Sequence, residues 1–136
     1  MNLLKILWIA GSGLLAQKVR LNVGATNIAN AQATRTIEGG PYRAKDVVLK
    51  AIPISENDPY LKIVEVEKIV NDPSPFKEVY DPAHPDADER GIVKYPNVDI
   101  ITEMAKLLSA EKAYQANLTV ISTTKILSLR LLDLLR

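Results

Sequence analysis

The side chain best suited to acid–base chemistry near neutral pH here is His84. It is the only histidine, and it stands in Asp81-Pro-Ala-His-Pro-Asp-Ala-Asp-Glu-Arg-Gly91. Asp86, Asp88 and Glu89 carry the hard oxygen ligands a divalent cation takes, and Asp-x-Asp followed by Gly partly follows a calcium loop. The rest of that pattern is missing, because no Glu closes the loop at its twelfth position. One His and no Cys exclude two-His metal sites, thiolate chemistry and disulfides. There is no phosphate-binding Gly loop, and nothing in the sequence pairs with His84 to activate a nucleophile. The Asp81–Gly91 stretch reads as a solvated turn, with no catalytic, cofactor or metal site.

What remains is a scaffold. The 136 residues are one domain's worth of chain, 47% apolar and 24% charged. Aromatics are only 5%, which suits helical rods packed through Leu, Ile and Ala better than a site that stacks bases or sugars. A net charge of +1 provides no field to draw in nucleic acid or an anionic membrane. Every proline lies between Pro41 and Pro96. Proline breaks helices by removing a donor and crowding the preceding turn. The expected fold is therefore mainly α with a small β part. A helix over 1–33, an extended and looped middle over 34–97, and a helix over 98–136 follow, with the two ends paired as a coiled-coil-like hairpin.

In the first segment Leu3, Leu7, Ala10, Leu14, Gln17, Leu21, Gly24 and Ile28 alternate steps of four and three, the spacing of one helical seam. Gly11, Gly13 and Gly24 weaken a free helix by about 1 kcal/mol each but admit another backbone. Lys5 and the apolar run to Ala16 resemble a signal peptide, yet Leu14 and Leu15 spoil the cleavage site and the seam runs on to Ile28. The apolar run is also short of the roughly 20 residues a membrane span needs. In the last segment Asp99 or Asn97 can cap the helix, and Glu103 supports its first turns. Ile100, Met104, Leu107, Glu111, Tyr114, Leu118, Ile121, Lys125, Ser128, Leu132 and Leu135 repeat the spacing. From Ile126 onward the helix is apolar on most faces, more than this chain can cover. Between the ends, Tyr42–Ile52, Leu61–Val70 and Phe76–Tyr80 are candidate strands, with strict alternation expected in the second.

Residues 9–30, with Ala25-x-Asn27-x-Ala29-Asn30 at their centre, resemble the N-terminal motif of bacterial flagellar rod and hook proteins. Asp72-Pro-Ser-Pro-Phe76, Val79-Tyr-Asp-Pro82, His84-Pro-Asp-Ala-Asp88, Tyr95-Pro-Asn-Val98, Glu103-Met104 and Ala113-Tyr-Gln-Ala-Asn117 extend the likeness toward the proximal-rod members of that family. Departures are small: Gly-Ile-Val stands at 91–93 where the family often has an aromatic second, and Glu111-Lys112 where it often has Ser-Arg.

The resemblance implies a non-enzymatic rod subunit of the flagellar basal body that assembles helically and carries motor torque. Its partners would be copies of itself, other rod proteins, and the rod base at the export apparatus and MS ring. It would leave the cell by the flagellar type III machinery, without a cleaved signal peptide, and work in the periplasmic space. No nucleic acid, small-molecule substrate or cofactor is implied. Leu3, Leu7, Leu14, Leu21, Asn27, Ile28 and Asn30 of the first segment are the expected subunit-interface residues there. Met104, Leu107, Tyr114, Asn117, Leu118, Ile121 and Leu132 are their counterparts in the last. A cytoplasmic coiled-coil adaptor is the alternative on the seams alone, and a metal-dependent enzyme on the acidic loop alone.

Overall fold

The computed structural model describes residues 2–136. Helix α1 spans Leu3–Ala29 and helix α2 spans Ile100–Leu134. Four strands lie between them: β1 Lys45–Ser55, β2 Asp58–Asn71, β3 Lys77–Tyr80 and β4 Ile92–Tyr95. Mainly helix with a small β part is thus the observed class. Asn2 opens α1, its side-chain oxygen accepting the Lys5 amide at 2.9 Å. Asp99 opens α2, accepting the Ile101 amide at 3.2 Å and the Thr102 hydroxyl at 2.7 Å. The Thr102 hydroxyl, with those amides, holds the Asp99 carboxyl below the usual carboxylate range.

The helices run antiparallel side by side. A Cβ on Gly13 would sit 2.7 Å from the Asn117 side chain, and one on Gly24 would sit 2.9 Å from Leu107. Near the far end Asn27 reaches Glu103. Carried back along α1, this register sets Leu3 opposite about residue 127, so the last two turns or so of α2 overhang its partner.

The inner face of α2 differs from the expected seam at every second position. Leu107, Tyr114, Ile121 and Ser128 turn inward as expected, but Glu103, Ala110 and Thr124 are buried where Met104, Glu111 and Lys125 were expected. The cause is the closeness of the helices. α1 presents Ala10, Gly13 and Gly24 on this face, and the room they leave is taken by Asn117 opposite Gly13 and by Leu107 and Glu103 opposite Gly24.

β1 and β2 form one antiparallel hairpin, from Lys45 opposite Asn71 to Ser55 opposite Asp58, closed by Glu56-Asn57. Both strands are edges, which is why Pro53 and Pro59 are tolerated in them. The hairpin lies along α1. The Ser12 hydroxyl oxygen accepts the Val64 amide at 3.0 Å and donates to the Ile9 carbonyl at 2.8 Å. Lys5 lies 3.8 Å from Asp58 near the tip. Strict alternation in β2 is not observed: Ile63 and Val64 are both half-buried. A bulge leaves Glu67 without a partner between Lys68 and Val66 and re-aims the strand.

β3 and β4 pair from Lys77–Tyr95 to Tyr80–Ile92. β4 was not legible in the sequence, because four residues after a polar loop carry little periodic signal. Its Val93 is nevertheless fully buried. The acidic loop between these strands uses its carboxylates internally. Asp88 accepts the Arg90 and Ile92 amides, both at 2.9 Å. Asp86 accepts the Thr34 hydroxyl at 2.8 Å and the Arg35 guanidinium. Those bonds, from Thr34 first and then Arg35, hold Asp86 below the usual carboxylate range. Gly91 closes the loop at φ 74°, with a Cβ there falling 2.9 Å from the Tyr80 ring.

Two substitutions test the close approach. Nothing lies within 4 Å of a Cβ on Gly11, so Gly11→Ala should add up to about 1 kcal/mol of stability. Gly24→Val, which drives a branched side chain into Leu107, should remove about 1–3 kcal/mol. Urea unfolding followed by far-UV circular dichroism measures both.

Candidate functional site

Asn27 sits where α1, the root of β1 and the first turns of α2 meet, and it is fully buried. A buried amide must find partners for its oxygen and both its hydrogens. The Asn27 oxygen accepts the Lys45 amide at 3.0 Å and the Tyr42 hydroxyl at 2.8 Å. Its nitrogen donates to the Lys45 carbonyl at 2.8 Å and to Glu103 Oε2 at 3.1 Å. One side chain thereby ties both helices to the hairpin.

The network continues outward. Glu103, itself buried, accepts Lys106 Nζ on its other oxygen at 3.2 Å. Lys106 also reaches Asp46 at 2.8 Å. Partial burial presses the Lys106 ammonium down, but the bonds to Asp46 and Glu103 more than offset this, leaving its pKa above the usual lysine value. Burial first, and the Glu103 charge second, raise the Tyr42 phenol above its usual value. This is a structural junction: its donors and acceptors are matched to one another, and among the described residues no cluster of three or more His, Cys, Asp or Glu could hold a metal.

Asn97 makes a second, smaller junction. Its oxygen accepts the Ala44 amide at 2.8 Å, and its nitrogen donates to the carbonyls of Asp72 and Ser74 at 3.1 and 3.0 Å. Arg43 donates to the same two carbonyls and lies 4.2 Å above the Phe76 ring. The turn before β3 is therefore fixed to the start of α2.

The surface these junctions hold in place is apolar. Ile101, Met104, Leu108 and Leu118 are exposed along the outer side of α2. Leu4, Trp8 and Leu15 are exposed on α1. Beyond the reach of α1, Leu129, Leu131, Leu132, Leu134 and Leu135 are all at least half exposed, the last at 84%. So many exposed large apolar side chains on two helices mark places where another molecule packs.

The residues singled out in the sequence divide between interior and surface. Leu3, Leu7, Leu14, Leu21, Ile28, Leu107, Tyr114, Asn117 and Ile121 are half-buried along or beside the helix pair. Met104, Leu118 and Leu132 are exposed and available to a neighbour. Asn27 is wholly internal. Asn30 is half-buried and closes α1, donating to the Thr26 carbonyl at 2.9 Å. Glu103 was read only as an N-terminal helix residue, and Tyr42, Asp46, Lys106 and Asn97 were not singled out as a network. The available signal is an acid at 103 in the first turn of α2 and an asparagine at 27 beside the seam of α1.

Comparison with known proteins gives one answer. A family model described as the flagellar basal body rod FlgEFG protein C-terminal region matches residues 89–134. The chain is 47% identical over 136 residues to the flagellar basal-body rod protein FlgC of Yersinia enterocolitica, covering 98% of each. It is 45% identical to the protein of that name from Escherichia coli O6:H1, again covering 98% of each. To that of Borreliella burgdorferi it is 39% identical over 143 residues, covering 92% of each.

Replacing Asn27 with Leu should cost about 3 kcal/mol, because both backbone groups of Lys45 lose partners in a part-buried place and Glu103 Oε2 loses its donor in a buried one. Asn27→Leu/Glu103→Leu should recover at least about 1 kcal/mol of that, since it removes the buried oxygen left without its donor. A double-mutant cycle in urea measures the coupling.

Proposed function

This chain belongs to the FlgC family of flagellar basal-body rod proteins, and from that premise we propose that it forms the proximal part of the rod by helical assembly with copies of itself and with other rod proteins. Its role is structural: a subunit of the rod in the flagellar basal body, not a catalyst. The relatives give no support to a cytoplasmic adaptor.

The observation that carries the assembly reading is the exposed outer side and overhang of α2. α1 already occupies the inner side through glycine and alanine. The larger apolar residues are left for neighbours, and covering them contributes at ~25 cal/mol per Å². In this reading residues 1–33 and 98–136 are the assembly part, paired in a coiled-coil-like hairpin, and 34–97 is carried on them. Leu3, Leu7, Leu14, Leu21, Met104, Leu118 and Leu132 contribute apolar surface to subunit contacts. Torque passes between subunits through these helices.

The same design suits passage through the flagellar type III machinery into the periplasmic space without a cleaved signal peptide, and docking at the rod base near the MS ring. A subunit whose end helices are completed by neighbours postpones polymerisation until those neighbours are met. Ordering a backbone costs roughly 1–2 kcal/mol per residue, and burial against the next subunit offsets that cost.

Leu118→Asp tests this reading, because the side chain is already partly in water and the fold should survive. In a strain lacking the native chain, the variant should be made at normal levels, be missing from purified basal bodies, and leave cells non-motile. Normal rods containing the variant would overturn the assigned face.

A further inference from the structure

Residues Thr36–Gly40 form a tight loop closed on itself. The Thr36 amide donates to the Gly40 carbonyl at 2.9 Å, and the Gly39 amide donates to the Thr36 carbonyl at 3.0 Å. The Thr36 hydroxyl donates to the Gly39 and Gly40 carbonyls at 3.3 and 3.1 Å. Gly39 and Gly40 take φ of 89° and 73°, which lets the chain turn back so sharply. These bonds hold the loop closed, and it holds out one apolar side chain: Ile37 is 108% exposed. Glu38 follows it and makes no ion pair among the described residues.

Elsewhere the chain has a matching hollow. A groove of ≈ 560 Å³ runs between β3, β4 and the first turn of α2, walled by Val79, Tyr95, Val98, Ile100 and Ile101. Ile100 and Ile101 are exposed in it. Asp99, which also lines it, is already engaged by the Ile101 amide and the Thr102 hydroxyl. Lys77 lines it too, a cation with no ion-pair partner among the described residues.

We propose that Ile37 of one copy of this chain seats in the Val79–Ile101 groove of a second copy, with Glu38 pairing to that copy's Lys77. The proposal rests on the rod-subunit reading and deepens it by naming one contact between copies. The complementarity is both apolar and electrostatic: a branched aliphatic side chain with an acid beside it meets an aliphatic groove with a base at its edge. Each copy carries both the knob and the groove, so within a helical array the contact repeats head-to-tail from copy to copy. Alone it falls below the roughly 1,000 Å² of a stable interface, and it gains strength from the helix contacts that hold the copies together.

The chain has no cysteine, so introduced pairs are read without background. Ile37→Cys/Ile101→Cys in the full chain, assembled into rods and mildly oxidised, should yield a disulfide-linked ladder of this chain. Either single variant should yield none. In that background Glu38→Lys or Lys77→Glu should cut the linked fraction several-fold, and the two together should restore it. Rods that contain the double-cysteine chain yet stay unlinked would overturn the contact. So would capture of a different rod protein by Ile37→Cys, or charge reversals that fail to restore linkage. If the unaltered chain is itself absent from rods, the rod-subunit reading falls, and this contact falls with it.

Discussion

Four hydrogen bonds to one buried amide hold this molecule in shape. Asn27 binds both backbone groups of Lys45, the Tyr42 hydroxyl and the Glu103 carboxylate. An amide in water loses little when one partner moves, but a buried one loses heavily. The junction therefore favours one register of α2 on α1, since sliding by a turn would part Asn27 from Glu103. It also fixes the hairpin, because Lys45 is the first residue of β1. Helix pairing and hairpin placement are a single event in this geometry.

The helix pair packs closely on its inner side, where Gly13 and Gly24 admit Asn117 and Leu107, and leaves many large apolar residues of α2 exposed on its other sides. The fully buried core is accordingly slight, with Val93 and Asn27 its largest side chains. A chain of this length that buries so little and exposes so much Leu and Ile completes its packing against other molecules. Intramolecular stability and assembly are thus served by opposite sides of the same helices.

Much of this was legible in the sequence, for reasons visible in particular residues. The proline limits at Pro41 and Pro96 bracketed the non-helical part, and the cap at Asp99 was readable from its type and position. The likeness around Ala25–Asn30 and Ala113–Asn117 pointed to the family before any geometry. Every second position of the α2 seam lies one residue from the expected one, at Glu103, Ala110 and Thr124 instead of Met104, Glu111 and Lys125, because a four-three repeat does not tell which of two adjacent residues a close partner helix covers. The Glu103–Lys106–Asp46 network was hidden because its members are ordinary surface residue types, joined across a sequence separation that no local pattern encodes. β4 was lost for want of length, and the hairpin bulge at Glu67 because pairing decides it.

The interior of the helix pair is complete in one chain, while the end of α2 is not. Amide hydrogen exchange on the dilute chain and on assembled rods compares the two directly. Exchange around Asn27, Lys45 and Glu103 should be slow in both samples. Over Ser128–Leu134 it should be fast in the dilute chain and slow only in the rod. Equal protection of Ser128–Leu134 in both samples would contradict this, because the overhang would then need no neighbour.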